Sequence, residues 1–285
     1  MNTKLIFIFC LIFVSGFSQN KLSERYNLMP WPQNIESNNL KLPINEQLTV
    51  SINVISNVRL HKAAIHFLRR LSGRTGIFIN NGFPIENSPA TIQIYFDSVS
   101  NLGIDSDESY SLEVNAATAV IKATTDVGAL RGLETLLQLT SLNDSGYYFP
   151  GVTISDMPRF VWRGLMIDAA RHFQPVAVIK RNLDAMASLK MNVFHWHLSD
   201  DHGYRIESKA HPKLHLLASD GLYYTQNQIK DVVSYASNLG IRVVPEIDVP
   251  GHATALLTAY PELGSKQGYT YAIERFSGIF NPTLN

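Results

Sequence analysis

Apolar and polar positions follow two different rhythms along this chain, and the change falls near residue 155. Upstream, QLTVSINV (47–54), TIQIYF (91–96) and both halves of YSLEVNAATAVIKAT (110–124) read as strands, the last two around a tight turn. VRLHKAAIHFLRRLSG (58–73) has helical spacing: Leu60, Ala64, Phe67, Leu68 and Leu71 share a face, and Gly73 is the expected stop. DVGALRGLETLLQLTSL (126–142) predicts a second helix, with Asp126 as N-cap and Leu130, Leu133, Leu137 and Thr140 buried. The lead-in, 21–45, is punctuated by prolines and carries no such rhythm. Strands and helices without regular alternation predict a small α+β domain over 19–155. His61, His66, Arg69 and Arg70 fall on its first helix and read as solvated or helix-end charge.

Downstream, the order becomes regular. RGLMID (163–168) is a short apolar strand, PVAVIKRNLDAMASLK (175–190) a helix opened by Pro175, and MNVFHWHL (191–198) a strand. TQNQIKDVVSYASNLG (225–240) is a helix capped by Thr225 and stopped by Gly240, and IRVVPEID (241–248) is a third strand. This β-α-β-α-β order predicts a parallel sheet with helices outside. No G-x-G-x-x-G follows any of the strands, which disfavours a dinucleotide site. Polar residues collect past each strand's carboxyl end, the face on which a (β/α)₈ barrel builds its site.

Composition adds boundaries. The chain has 285 residues, 45% hydrophobic and 17% charged, with zero formal net charge. That suits two globular domains and gives no support for a nucleic-acid or anionic-membrane partner. MNTKLIFIFCLIFVSGFSQN opens on Lys4, runs apolar from Leu5 to Val14, and offers Gly16 and Ser18 at a cleavage site. This predicts a signal peptide over 1–18, too short to span a bilayer, and an exported protein, periplasmic or extracellular. The only cysteine, Cys10, lies inside it, so the mature chain has no disulfide or thiol chemistry.

Three strand ends carry the chemistry. In MNVFHWHL, alternation turns Phe194, Trp196 and Leu198 toward the helices and Val193, His195 and His197 inward. An inward His-x-His pair could hold a divalent metal, with Asp200, Asp248 or His252 completing the ligands; the alternative is a hydrogen-bonded polar network. Arg171, in DAARHF (168–173), is a planar donor fork that needs either ligand hydroxyls or an ion pair with Asp168 or Asp200. In PEIDVPGH (245–252), Glu246 and Asp248 share a face, and the Pro250–Gly251 turn lets His252 fold back toward Asp248.

RGLMIDAARHF, NVFHWHLSDDHGYRIE and VVPEIDVPGHATA resemble, in order and spacing, glycoside hydrolase family twenty, the exo-acting β-N-acetylhexosaminidases that include chitobiases. Residues 21–155 resemble the small domain that precedes their barrel. The resemblance implies a substrate-assisted retaining hydrolase of terminal β-linked GlcNAc or GalNAc, on chitooligosaccharides or glycoprotein and glycolipid ends, without cofactor or metal. It implies that Arg171 binds the sugar's outer hydroxyls and that Asp200 orients the network beneath it. Asp248 and His252 would form a supporting dyad, with His195, His197, Asp201 and Glu246 in the same network. The family usually has Gln-Gly-Trp-Arg after the double aspartate; here it is His202-Gly203-Tyr204-Arg205, which bears on subsite preference.

The family's catalytic pair comes as His-x-Gly-Gly-Asp-Glu. The only Asp-Glu here is Asp107-Glu108, without the glycines and in the small domain. Residues 156–285 are about half of the roughly 250 a closed barrel takes. The expectation is an incomplete barrel with an exposed edge strand, in the N-terminal part of such an enzyme, inactive alone. Two other classes remain: a non-catalytic glycan-binding remnant, and a metalloenzyme built on His195, His197 and Asp200.

Overall fold

The computed structural model describes residues 22–53, 57–86, 89–266 and 268–285; the expected leader, 1–18, lies outside them. The chain divides into two compact units, Met1–Val161 and Trp162–Asn285. Among the described residues, no helix is long and apolar enough to cross a membrane.

Among the described residues, the first unit is a mixed sheet packed against two long helices. Its strands are β1 (Asn34–Pro43), β2 (Val50–Asn53), β3 (Ile85–Glu86), β4 (Ile92–Ser98), β5 (Tyr110–Val114), β6 (Ala119–Thr125), β7 (Ser141–Asn143) and β8 (Gly146–Asp156). They order as β1-β8-β5-β6-β4-β2-β3, with β7 on β8. Helix α1 (Val58–Thr75) buries Leu60, Ala64, Phe67, Leu68 and Leu71, the five positions its periodicity marks. Its helical turns continue through Gly73 to Gly76, whose φ of 71° and N–H bond to the Ser72 carbonyl end them. Helix α2 (Asp126–Gln138) is capped by the Thr125 hydroxyl rather than by Asp126. The Asp126 carboxylate turns inward to Arg59 Nη1 (2.6 Å), Asn57 Nδ2 and the Ser100 amide, tying the starts of both helices together. Thr140, expected on the buried face, lies beyond the helix end.

Strands β1 and β8 carry no legible period in the sequence. β1 buries only Ile35 and Leu42 well, at its two ends, and its register against β8 shifts between Ser37 and Lys41. In β8, Pro150 lacks an N–H and faces Lys41, where neither β5 nor β7 pairs with it.

The second unit is parallel where its sequence alternates. Strands β9 (Gly164–Asp168) and β12 (Arg242–Ile247) both pair in parallel with β10 (Val193–Asp200), while β11 (Gly203–Tyr204) folds back antiparallel on β10. Helices α3 (Val176–Ser188) and α5 (Gln226–Asn238) cover one face. Phe194, Trp196 and Leu198 of β10 pack there with Ile179, Leu183, Met186, Val232 and Ala236. Thr225 caps α5 in a full capping box with Gln228, and Gly240 takes φ 69° after it. Among the described residues β9 and β12 are the outer parallel strands, and their exposed Met166 and Ile247 contrast with buried β10. Two short helices, α4 (Lys213–Leu217) and α6 (Thr254–Ala259), pack on each other in a small cluster of their own.

Candidate functional site

The register of the parallel strands builds the centre. It sets Asp168 of β9, His197 of β10 and Glu246 of β12 side by side across the three carboxyl ends. One step later β10 bulges against β12: His197 pairs with Glu246, but Ser199 pairs with Ile247. The extra residue breaks the alternation, so Asp200 comes round to the same side as His197. The Ser199 hydroxyl, released from that role, accepts the Asp248 amide at 3.0 Å.

His197 is the hub. Its Nδ1 lies 2.7 Å from Glu246 Oε2 and its Nε2 3.0 Å from Asp200 Oδ2. A ring held between two carboxylates donates from both nitrogens, which requires the imidazolium. The hydrogen bond to Asp200 is the main reason its pKa is pushed up to about 9 from 6.5; burial opposes this, and Glu246 adds to it. Glu246 also reaches His195 Nε2 at 2.7 Å, and its own pKa is lowered, chiefly by His197. The sequence's polar-network reading of the two histidines describes this geometry.

Asp200 is almost wholly buried and is shared by several donors. Burial pushes its pKa up, but the His197 bond, the Asp201 amide (2.6 Å), Arg171 and His252 outweigh it and lower the value. Arg171 closes the row: Nη1 is 2.6 Å from Asp168 Oδ2 and Nη2 2.7 Å from Asp200 Oδ2. Burial lowers its pKa, but the Asp168 hydrogen bond and the nearby aspartates raise it on balance. The ion-pair alternative for Arg171 is therefore realised with both candidates at once. Its side chain is still 43% exposed, and only two of its five N–H donors are used on those carboxylates.

His252 departs from expectation. Its Nδ1 lies 3.1 Å from Asp201 Oδ2 and 3.4 Å from Asp200 Oδ1, so the ring turns to the double aspartate, not to Asp248. The turn does fold back, but it brings the ring to the end of β10, where Asp200 and Asp201 lie. Asp201 is more than a bystander: its Oδ1 accepts both the amide (3.0 Å) and the hydroxyl (2.5 Å) of Thr254, fixing the start of α6.

Two residues of the HGYR segment have roles the sequence reading did not assign. Arg205 is buried and donates to the carbonyls of Ala170, His202, Ser219 and Leu222. It locks the loop after β9 to the loops around β11. Gly203 leaves room for it, since a Cβ there would meet Arg205 Cζ at 2.2 Å. The G-x-R spacing was the available signal. Tyr204, half-buried, packs its ring against Leu214, Ala218, Ala255 and Ala259, and burial raises its pKa. His202 donates its Nε2–H to the Phe276 carbonyl at 2.9 Å.

Two groups have ligand atoms within 4.8 Å of one another: His197, Glu246 and Asp248, and Asp200, Asp201 and His252. The donor set does not fit a cation. His197 has no lone pair to offer while both ring nitrogens donate, and Arg171 already holds Asp200. The Asp107-Glu108 pair is in the first unit, where Glu108 is buried against Arg131 Nε at 2.7 Å.

Residues 25–157 match the family model for "Glycosyl hydrolase family 20, domain 2", and residues 160–284 match "Glycosyl hydrolase family 20, catalytic domain". Similar proteins include beta-hexosaminidase subunit A2 of Dictyostelium discoideum, 36% identical over 265 residues, covering 91% of this chain and 48% of the relative. A beta-hexosaminidase of Porphyromonas gingivalis is 32% identical over 284 residues, covering 90% of this chain and 35% of that one. Among solved structures, the chitobiase of Flavobacterium johnsoniae is 56% identical with a TM-score of 0.89, covering 92% of this chain and 40% of that one. The N-acetyl-beta-hexosaminidase of Streptomyces plicatus is 29% identical with a TM-score of 0.77, covering 90% and 52%. The chain thus spans about half the length, or less, of the relatives it matches.

Proposed function

The chain belongs to glycosyl hydrolase family 20, and on that premise we propose that its second unit supplies the sugar-gripping part of a β-N-acetylhexosaminidase site. The three parallel strands are read as the first part of a (β/α)₈ barrel. The substrate is a terminal β-linked GlcNAc or GalNAc of a glycan. The observation that carries this is Arg171: a partly exposed guanidinium, braced by Asp168 and Asp200, with N–H donors to spare. Vicinal sugar hydroxyls take such a rigid fork better than they take a point charge.

In the proposed reaction the substrate's acetamido oxygen attacks C1, and a carboxylic acid protonates the leaving oxygen. That acid must keep its proton near neutrality, which requires a raised pKa. Glu246 is shifted the other way, and Glu108 is committed to Arg131. Neither of these two suits the task, which supports the reading that this polypeptide by itself binds the sugar without cleaving it. The apolar run before Ser18 supports export of the protein.

The test is calorimetric titration of GlcNAc into the 285-residue chain, beside an assay with p-nitrophenyl β-GlcNAc. Binding that is lost in Arg171→Ala, with hydrolysis at background, is the expected result. Turnover by the purified chain sinks the division of labour, and GlcNAc binding undisturbed in Arg171→Ala sinks the site.

A further inference from the structure

We propose that the helix-free face of the first unit's sheet is a second carbohydrate site, which takes a neutral oligosaccharide. Helices α1 and α2 bury one face of that sheet; on the other, a hollow of about 450 Å³ opens across four adjacent strands. That volume lies within the range of small-ligand clefts, about 300–1,000 Å³.

Strand register makes the floor. Tyr95 of β4 faces Lys122 of β6, Lys122 faces Ser111 of β5, and Ser111 faces Ser155 of β8, one transverse row. Asp97, two residues beyond Tyr95, points to the same face. Tyr95 is held in place: its hydroxyl donates to Gln93 Oε1 at 2.9 Å, and Gln93 Nε2 donates to the Ala90 carbonyl. The Tyr95 ring is thus a fixed flat apolar surface beside a hydroxyl-lined rim. Gln33 closes one end, bonded through its amide to Asp156 and through its side chain to the Met157 carbonyl.

Charge selects the occupant. Lys122 and Asp97 line the same hollow, and neither side chain has a hydrogen bond or ion pair among the described residues. The third charged group of the lining, Asp156, is already engaged by the Gln33 amide and the Tyr110 hydroxyl, so an occupant meets one open cation and one open carboxylate, and a polymer of either charge is repelled by one of them as it is drawn to the other. An uncharged molecule that offers both donors and acceptors satisfies both groups. A protein interface of this width would show an apolar, aromatic-rich centre; of the two tyrosines in this lining Tyr110 is buried, which leaves the Tyr95 ring among serine and threonine hydroxyls and charged groups. A pyranose has one flat apolar face for Tyr95 and equatorial hydroxyls for Lys122, Asp97 and Ser111.

The experiment is titration of chitotetraose into the full chain carrying Arg171→Ala, which silences the site proposed above. Binding should persist there and fall about tenfold with Tyr95→Ala added, the scale of one aromatic contact. Ser111→Arg, at an exposed position, should block it without altering the melt, and decides the matter should Tyr95→Ala fail to fold. A cationic chitosan tetramer and an anionic tetragalacturonate should bind more weakly than chitotetraose. No binding in the Arg171→Ala chain, undiminished binding with either added substitution, or preference for a charged tetramer overturns the proposal. Binding that Tyr95→Ala removes from the otherwise unchanged chain, with Arg171→Ala silent, keeps it while the barrel reading fails.

Discussion

The guanidinium of Arg205 folds back over Gly203 so closely that a methyl group on the glycine would meet Cζ at 2.2 Å. Arg205 cannot swing aside cheaply, because its donors hold four backbone carbonyls in a buried loop. Gly203→Ala should therefore cost about 1–3 kcal/mol, as overpacking does. Arg205→Ala should cost about 3 kcal/mol or more, since the carbonyls lose their donors. The double variant should fall well short of the sum, because the clash disappears with the guanidinium. Urea unfolding of the three variants measures this; strict additivity would refute the steric account.

His197 sets an alkaline limit. Its folded pKa of about 9 exceeds the ordinary 6.5. Its stabilisation is therefore complete below pH 6.5 and is lost as pH rises through 9. Asp200 and Glu246 are lowered, so theirs is present above their ordinary values of 3.8 and 4.5 and is lost as pH falls through the folded values. The urea midpoint should form a plateau between about pH 5 and 6.5 and decline as pH rises from there through about 9. His197→Gln should lower the plateau and flatten the alkaline decline. An unchanged alkaline slope in that variant would count against the imidazolium.

Arg171→Lys should not restore sugar binding. One ammonium cannot meet Asp168 and Asp200 as Nη1 and Nη2 do and still present a planar fork. GlcNAc affinity should drop at least about tenfold, the loss of one charge-assisted hydrogen bond. Affinity equal to the parent chain would mean that charge alone suffices.

Chelation should leave the protein unchanged. With His197 donating to Glu246 and Asp200, and Arg171 also on Asp200, two of the clustered carboxylates are already engaged from within and the histidine has no lone pair left for a metal. EDTA followed by zinc should shift the melting midpoint by less than the several degrees that a stability change of about 1 kcal/mol gives in a domain of this size. A rise of many degrees with zinc would establish a metal site.

Much of this was legible from residue order alone. Period 3.6 marked all five buried positions of α1, and period two turned Phe194, Trp196 and Leu198 to the helices and the histidines away. Local chemistry marked the Thr225 cap, and the β-α-β-α-β order gave the parallel pairing. Periodicity works because it records which face of an element leaves water, and that is a property of the element itself. Strands β1 and β8 escaped because long-range pairing defines them more than any pattern of their own. The bulge after His197 that delivers Asp200, the turn of His252 to Asp201, and the closure of Arg205 over Gly203 were likewise decided only in three dimensions. Each depends on where a partner strand or loop stops, and no periodicity within one segment encodes the register of another.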